Sequence, residues 1–341
     1  MQETADVPIL QSKSSFQSYV KLARPFTLLP PLLGIISGAV CAYGSVHNPE
    51  PGVLNLRIIL IVALGSLCAA FLNAANNAIN QIYDLEIDRM NKPDRPLVTG
   101  ALSIVQVWKF VWIFNILGVL PTWLVVVFPY ISLSEKFFAP LEFHQTFFIY
   151  VVALLSTFIY SVPSLGRTKA RGMLANITIA IPRGMLLKVA GWAMIAPIWF
   201  LEPWFIGLVF ALFLLGAAST KDFADIEGDR AGGCKTLPIV YGVRKAAWII
   251  SPFFIFPWFL ILVGVHMKDP TNTSHAILTG DPLMLTALGI ILAIWGMYTV
   301  YLILRNPEEL ARVENHPSWN HMYYMMMAAQ VGFALAYIIR L

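Results

Sequence analysis

"RIILIVALGSLCAAFLNAANNAINQIYDLEIDR", residues 57–89, decides the fold class. Its first two dozen residues are almost wholly apolar, and roughly 20 such residues suffice for a helix to cross a hydrocarbon core of about 30 Å. The chain then turns acidic, with Asp84, Glu86 and Asp88 closed by Arg89. About 140 residues later the order returns: an apolar run over 197–219 leads into "DIEGDR", Asp225 to Arg230. A sequence that twice writes Asp-x-Glu-x-Asp-Arg behind a hydrophobic helix is placing matched acidic groups at a membrane boundary.

The whole chain extends that reading. Its 341 residues are 58% hydrophobic and only 12% charged, with mean hydropathy +0.70. A soluble domain carries about a quarter charged residues, so the composition excludes one. The apolar runs are continuous, whereas strands of a membrane barrel would alternate. The fold class expected is an all-α, polytopic membrane protein. Nine spans are predicted, near 25–45, 57–80, 104–129, 145–162, 173–195, 197–219, 246–266, 283–304 and 321–340. Pro49/Pro51, Pro93/Pro96/Gly100, Gly228/Gly232/Gly233 and Asp269-Pro270 punctuate the separators. Residues 1–20 read as a polar lead-in without a signal-peptide core, and 21–341 as one integral-membrane domain. Cys41, Cys68 and Cys234 lack paired spacing, which gives neither a disulfide framework nor a metal site.

Basic residues set the expected orientation. Lys13, Lys21 and Arg24 precede the first span, and Arg89, Lys92, Arg95 and Lys109 flank the loop after the second. Arg167, Lys169 and Arg171 follow the fourth, Lys221, Arg230, Lys235, Arg244 and Lys245 the sixth, and Arg305 and Arg312 the eighth. The opposite loops hold only Arg57, Lys136, Lys268 and Arg340. By the positive-inside rule the first group is cytoplasmic. Nine spans then put the N-terminus and the acidic segments in the cytoplasm and the C-terminus on the other side.

Four helices separate the two acidic segments, so both emerge on one face. Each is followed by a Pro-apolar-Val-x-Gly ending, at Pro96–Gly100 and Pro238–Gly242. A duplicated four-helix unit plus one extra helix explains this, with the two acidic clusters confronting each other across a cavity. On a helix, Asn80, Asp84 and Asp88 keep a spacing of four and share one face. Asp222, Asp225 and Asp229 do the same at spacings of three and four. Hard oxygen ligands of this kind suit Mg²⁺, which completes its shell with water and substrate phosphates. Two facing clusters could hold two or more ions around a diphosphate and neutralise charge on its bridging oxygen as a carbon–oxygen bond breaks.

A single Asp-x-x-x-Asp at a helix end is commonly a solvated boundary marker. Two aligned copies reverse that reading, because like charges stacked at this spacing destabilise a helix unless a cation relieves them. Glu86 and Glu227 point away from their neighbouring aspartates. Lys221, Arg167, Lys169 and Arg171 are candidates to grip phosphate oxygens, although cations here also enforce topology. Arg183 and Lys188 lie inside an apolar span, where an ionisable group is a functional hypothesis by default. Pro182 and Gly184 bracket Arg183 and loosen the helix there. Pairing with a structural carboxylate is the alternative for Arg183. His47, His144, His266, His275, His316 and His321 form no His-x-x-x-His pair and no hydrolytic triad pattern.

"NQIYDLEID" at 80–88, with "NKPDRPLVTG" at 91–100, resembles the first Asp-rich motif of the UbiA superfamily of intramembrane prenyltransferases, and "KDFADIEGDRAGGCKTLPIVYG" at 221–242 its second. The resemblance runs from about Ser18 onward. It implies a helical bundle with a central cavity open to lipid. Mg²⁺ would be held by Asn80, Asp84 and Asp88 on one side and Asp222, Asp225 and Asp229 on the other. The activity implied is transfer of an isoprenoid chain from a prenyl diphosphate to a lipophilic or aromatic acceptor. "IYSVP" at 159–163 and Arg183-Gly184 are similar to the homogentisate prenyl/phytyltransferase branch, so an aromatic ring is the first acceptor expected, with Tyr160 near it. "EGDRAGGCKTLPIVYG" also resembles enzymes that prenylate geranylgeranylglyceryl phosphate, and related motifs occur in chlorophyll synthases. Two departures stand out: Arg167-Thr-Lys169-Ala-Arg171 replaces a Leu-Lys-Arg group, and Gln81 stands where some members have Asp. A cation-coupled transporter or lipid carrier is the rival class, but it predicts polar groups at the bilayer midplane. No nucleic acid partner and no obligate protein partner are expected.

Overall fold

The structure, a computed structural model, describes residues 16–52, 54–126, 132–313 and 316–339. The polar lead-in up to residue 15, the end of the third predicted span at 127–129, and Lys13 and Arg340 lie outside the described residues.

The chain is nearly all helical; among the described residues, β pairing is limited to one bridge, Lys268–Ala276. In order come α1 (Phe16–Ala23), α2 (Leu29–Gly44), α3 (Leu56–Tyr83), α4 (Leu85–Asn91), α5 (Ile104–Val119), α6 (Leu133–Phe137) and α7 (Gln145–Ser161). Then follow α8 (Met173–Ala180), α9 (Leu187–Trp192), α10 (Leu201–Ala217), α11 (Ile226–Ala231), α12 (Leu237–Tyr241), α13 (Val243–Ile250), α14 (Phe256–His266), α15 (Pro282–Leu304) and α16 (Pro317–Ile338).

Among the described residues, seven helical stretches are long and apolar enough to cross a membrane: Pro25–Gly44, Leu56–Tyr83, Ile104–Leu124, Met173–Trp192, Leu201–Phe223, Val243–His266 and Pro282–Leu304. Two predicted spans fall outside these seven. The one near 145–162 is α7, which has 17 residues, and the one near 321–340 is α16, whose composition is more polar. Large apolar side chains on outward faces, such as Trp112, Ile113 and Ile116 of α5, are exposed. In an integral multi-pass protein such surfaces meet lipid tails.

Small residues let the inner helices approach. Gly34 and Gly38 of α2 keep the GxxxG spacing that suits close helix contact. A Cβ at Gly38 would lie 2.4 Å from the Lys188 carbonyl of α9, and one at Gly191 would lie 2.2 Å from the Ile35 carbonyl. A polar ladder fastens the N-terminal segment to α3. Asn73 donates to Thr27 O (2.9 Å), Asn77 to Ala23 O (2.9 Å) and to Thr27 Oγ1 (2.8 Å), and Gln81 to Leu22 O (3.2 Å). Spaced four apart, these amides satisfy carbonyls left over at the end of α1. They also carry Arg24, whose backbone is left-handed (φ 55°), to the rim of the central cavity.

Candidate active site

Each acidic segment is an elbow, not the continuous helix that the spacing predicts. α3 stops at Tyr83, Asp84 takes φ −104° and ψ 12°, and α4 starts at Leu85. In the second segment a 3₁₀ stretch ends at Phe223, Asp225 takes φ −100° and ψ 10°, and α11 starts at Ile226. The two elbows match to within a few degrees. In each, the next Asp amide still donates to the elbow carbonyl: Asp88 to Asp84 O (2.7 Å) and Asp229 to Asp225 O (3.0 Å). Asp84 and Asp88, and Asp225 and Asp229, therefore stay one turn apart despite the break.

The elbows are bolted together. Asn91, at the end of α4, donates to Asp225 O (3.2 Å) and accepts from the Gly228 amide (3.2 Å). Glycine at 228 leaves room for this bolt, because a Cβ there would lie 2.5 Å from the Asn91 side chain and force it to shift.

Cations fill the space between the carboxylates. Lys169 donates to Asp84 Oδ2 at 2.5 Å, and Arg167 Nη2 lies 3.6 Å from Asp84 Oδ1. Arg167 also donates to Tyr83 O (3.4 Å), and its buried Nε has no hydrogen-bond partner among the described residues. Its backbone is left-handed (φ 40°), a strained conformation for a residue with a side chain. Arg95 donates to Asp88, Lys92 lies 3.6 Å from Asp225, and Lys221 lies 3.8 Å from Asp222. Burial pushes Asp88 up to about 6 against the pull of Arg95, and it raises Asp229 against Lys169 and Lys221. Burial alone would lower Lys169, but Asp84, Tyr160 and Asp229 outweigh it and hold the ammonium above its ordinary value. Lys169 thus sits between the clusters, bonded to one and felt by the other.

Beneath the elbows lies a cavity of about 240 Å³. Asn80, Tyr160, Lys221, Arg183 and Arg24 line it at polar points, and Tyr150, Trp319 and Tyr323 add aromatic rings. Asn80 Oδ1 accepts from Ser161 Oγ (2.5 Å). Arg183 reaches the cavity from a π-helical turn, Ile181–Leu186, inserted between α8 and α9 where Pro182 supplies no N–H.

Residues 31–325 match the UbiA prenyltransferase family. The chain belongs to that family. A digeranylgeranylglyceryl phosphate synthase of Thermococcus gammatolerans is 30% identical over 297 residues, covering 86% of this chain and 89% of its own. A probable homogentisate phytyltransferase 2 of Oryza sativa is 30% identical over 281 residues, covering 81% of this chain and 68% of its own. The fold is that of a UbiA homolog from Archaeoglobus fulgidus solved with GPP and Mg²⁺. The two chains are 19% identical, with a TM-score of 0.62 over 93% of this chain and 99% of that one. This protein is a UbiA-family prenyltransferase and an integral, multi-pass membrane protein.

For a UbiA enzyme the sequence-predicted residues divide cleanly by place. Asn80, Asp84, Asp88, Asp222 and Asp229 are wholly or mostly buried about the elbows, with Asp225 a quarter exposed beside Lys92. Tyr160, Lys221 and Arg183 face the cavity, and Arg167 and Lys169 meet Asp84. Arg171 is not brought in: it is exposed and lines a separate surface hollow with Lys235 and Tyr241. Lys188 does not line the cavity either. It donates to Gln330 and lies 4.2 Å above the Phe210 ring. Glu86 turns outward to Arg89 (2.9 Å) and Glu227 is exposed. Gln81, standing where some relatives carry Asp, is a structural anchor for α1.

Sequence reasoning missed Arg24, Asn91, Lys92 and Arg95. By sequence the cations among them read only as topology signals, yet "NKPDR" directly after the first motif places Asn91, Lys92 and Arg95 within reach of it. Sequence reasoning also misses Asn76, one turn before Asn80; its Oδ1 is buried at the cavity without a partner among the described residues.

Proposed function

We propose that the protein transfers an isoprenoid chain from a prenyl diphosphate to a lipophilic acceptor carrying an anionic group, with Mg²⁺ as cofactor. The observation that carries this is the pair of matched aspartate elbows set over a mostly apolar cavity. The donor set fits the ion: Asn80, Asp84 and Asp88 with Asp222, Asp225 and Asp229 offer only hard oxygens, which Mg²⁺ prefers. When bound, two or more such ions would offset the charge that develops on the departing diphosphate.

The protein's own groups take the remaining roles. Lys169 and Arg167 hold Asp84, and Arg167 Nε, without a partner among the described residues, suits a phosphate oxygen. Lys221 presents an ammonium from the cavity wall. Tyr150, Tyr160, Trp319 and Tyr323 surround the space in which an allylic, cation-like carbon forms, excluding water and offering π faces. Arg24 and Arg183 line the same cavity and suit the acceptor's anionic group.

A glyceryl phosphate lipid is the first acceptor reading, because the synthase from Thermococcus gammatolerans aligns over most of both chains. An aromatic ring of the quinone or tocopherol type is the second, supported by the homogentisate relative and the aromatic lining. The site faces the cytoplasm if the basic loops obey the positive-inside rule.

Asp84→Ala and Asp225→Ala should each abolish turnover of labelled prenyl diphosphate in detergent, and near-normal turnover of either would sink the two-elbow reading. Offering geranylgeranyl, phytyl and farnesyl diphosphates against glyceryl phosphates, aromatic acids and chlorophyllide, with products read by mass spectrometry, identifies the acceptor.

A further inference from the structure

Helix α10 starts at Leu201 and leads to Asp222, so its first residues lie at the end of the bundle away from the aspartate elbows. There Glu202, wholly buried, gathers the α2–α3 and α14–α15 connections. It accepts from Ser45 Oγ (2.6 Å), Thr279 N (2.6 Å) and Tyr337 Oη (2.5 Å).

Beside it stand three side chains that no role above uses. His47, Asp269 and His275 each offer a ligand atom, and these atoms lie within 4.8 Å of one another. The local structure prepares every one of them. Asp269 and His275 face each other across the Lys268–Ala276 bridge, with Asp269 N donating to His275 O (3.1 Å) and Ile277 N to Met267 O (3.0 Å). Thr271 donates to Asp269 Oδ1 through both N (2.7 Å) and Oγ1 (2.6 Å). Asp269 Oδ2 is left buried with no hydrogen-bond partner among the described residues, in a residue 1% exposed. His275 Nδ1 lies 3.0 Å from the Ala276 carbonyl, which fixes the proton there and leaves Nε2 its lone pair. The His47 side chain is 7% exposed and its Nε2 is also buried without a hydrogen bond among the described residues. Its ring is stacked on Phe200 at 3.9 Å, with His275 5.0 Å away edge-on.

An imidazole held by a backbone carbonyl and a carboxylate held on one oxygen are the usual supports of metal ligands. Two imidazoles and one carboxylate select a borderline first-row divalent ion over Mg²⁺ or Ca²⁺, which take oxygen. We propose that His47, Asp269 and His275 form a site for a transition-metal ion of the Zn²⁺ class, distinct from the aspartate elbows and at the opposite end of the bundle. The ion ties the α2–α3 connection to the α14–α15 hairpin, and Glu202, 3.8 Å from His47 Nε2, balances its charge. With the three ligand atoms within 4.8 Å of one another, an ion at about 2.0–2.2 Å from each draws them together.

The full chain in detergent is stripped with chelator and then given Zn²⁺ or Co²⁺ with excess Mg²⁺ present to occupy oxygen sites. One ion per chain should be retained, and bound Co²⁺ should show visible absorption with imidazole nitrogen in its X-ray absorption spectrum. His275→Ala should lose that ion, Asp269→Asn should bind it tenfold or more weakly, and His321→Ala should keep it. Each variant's melting curve without metal confirms its fold. No retained ion in the unaltered protein, or nitrogen ligation that persists in His275→Ala, overturns the assignment.

Discussion

Asp88 and Glu86 stand two residues apart in opposite surroundings. Glu86, its side chain 77% exposed, pairs with Arg89 in water, where such pairs contribute about 0–1 kcal/mol. Asp88 is buried against Arg95, and burial lifts its pKa to about 6. A cation arriving at Asp88 therefore competes with a proton below about pH 6 and meets a carboxylate above it. Mn²⁺, used as a spin-active substitute for Mg²⁺, should bind more weakly as pH falls through about 6. Arg95 opposes the upward shift, so Arg95→Met should move that midpoint higher. Electron paramagnetic resonance titrations on both sides of pH 6 read the effect, and a flat profile would refute it. Glu86→Gln serves as the control that leaves the profile unmoved.

At the scale of elements, the two elbows act as one unit because α4 and α11 touch. Asn91 joins them by two part-buried hydrogen bonds, each contributing about 0.5–1.5 kcal/mol net. Asn91→Ala should lower kcat/KM tenfold or more while the melting temperature changes little, since the bundle's core lies elsewhere. Gly228→Ala should act alike, as its new Cβ would displace the Asn91 amide. Normal turnover in both variants would show that the elbows need no bridge. The aspartates themselves were legible, because a repeated spacing behind two apolar helices is a local pattern. The break at Asp84 and Asp225 was not, since each elbow meets partners far along the chain: Asp84 is held by Lys169, 85 positions on, and Asp225 O by Asn91, 134 positions back. For the same reason Arg95 and Lys92 looked like topology cations until the fold set them against Asp88 and Asp225, while Arg171, equally promising in sequence, faces outward.

Across the whole molecule, hydropathy revealed a membrane bundle because lipid contact acts on every span alike. It could not reveal the His47–Asp269–His275 cluster, whose members lie 222 and 6 positions apart and meet only when two connections fold over Glu202. That cluster and the elbows occupy opposite ends of Leu201–Phe223, α10 with the 3₁₀ turn that follows it, a stretch with length and composition to cross a bilayer. The two ends should accordingly lie on opposite sides of the membrane, with the elbows on the cytoplasmic side that the basic loops predict. The three native cysteines are buried, so introduced ones report cleanly. Glu227 beside the second elbow and Thr273 in the distal hairpin are both exposed. In intact cells a membrane-impermeant maleimide should label Thr273→Cys at once and Glu227→Cys only after permeabilisation. The reverse pattern would invert the orientation, and labelling of both from one side would mean that α10 does not carry its two polar ends across the bilayer.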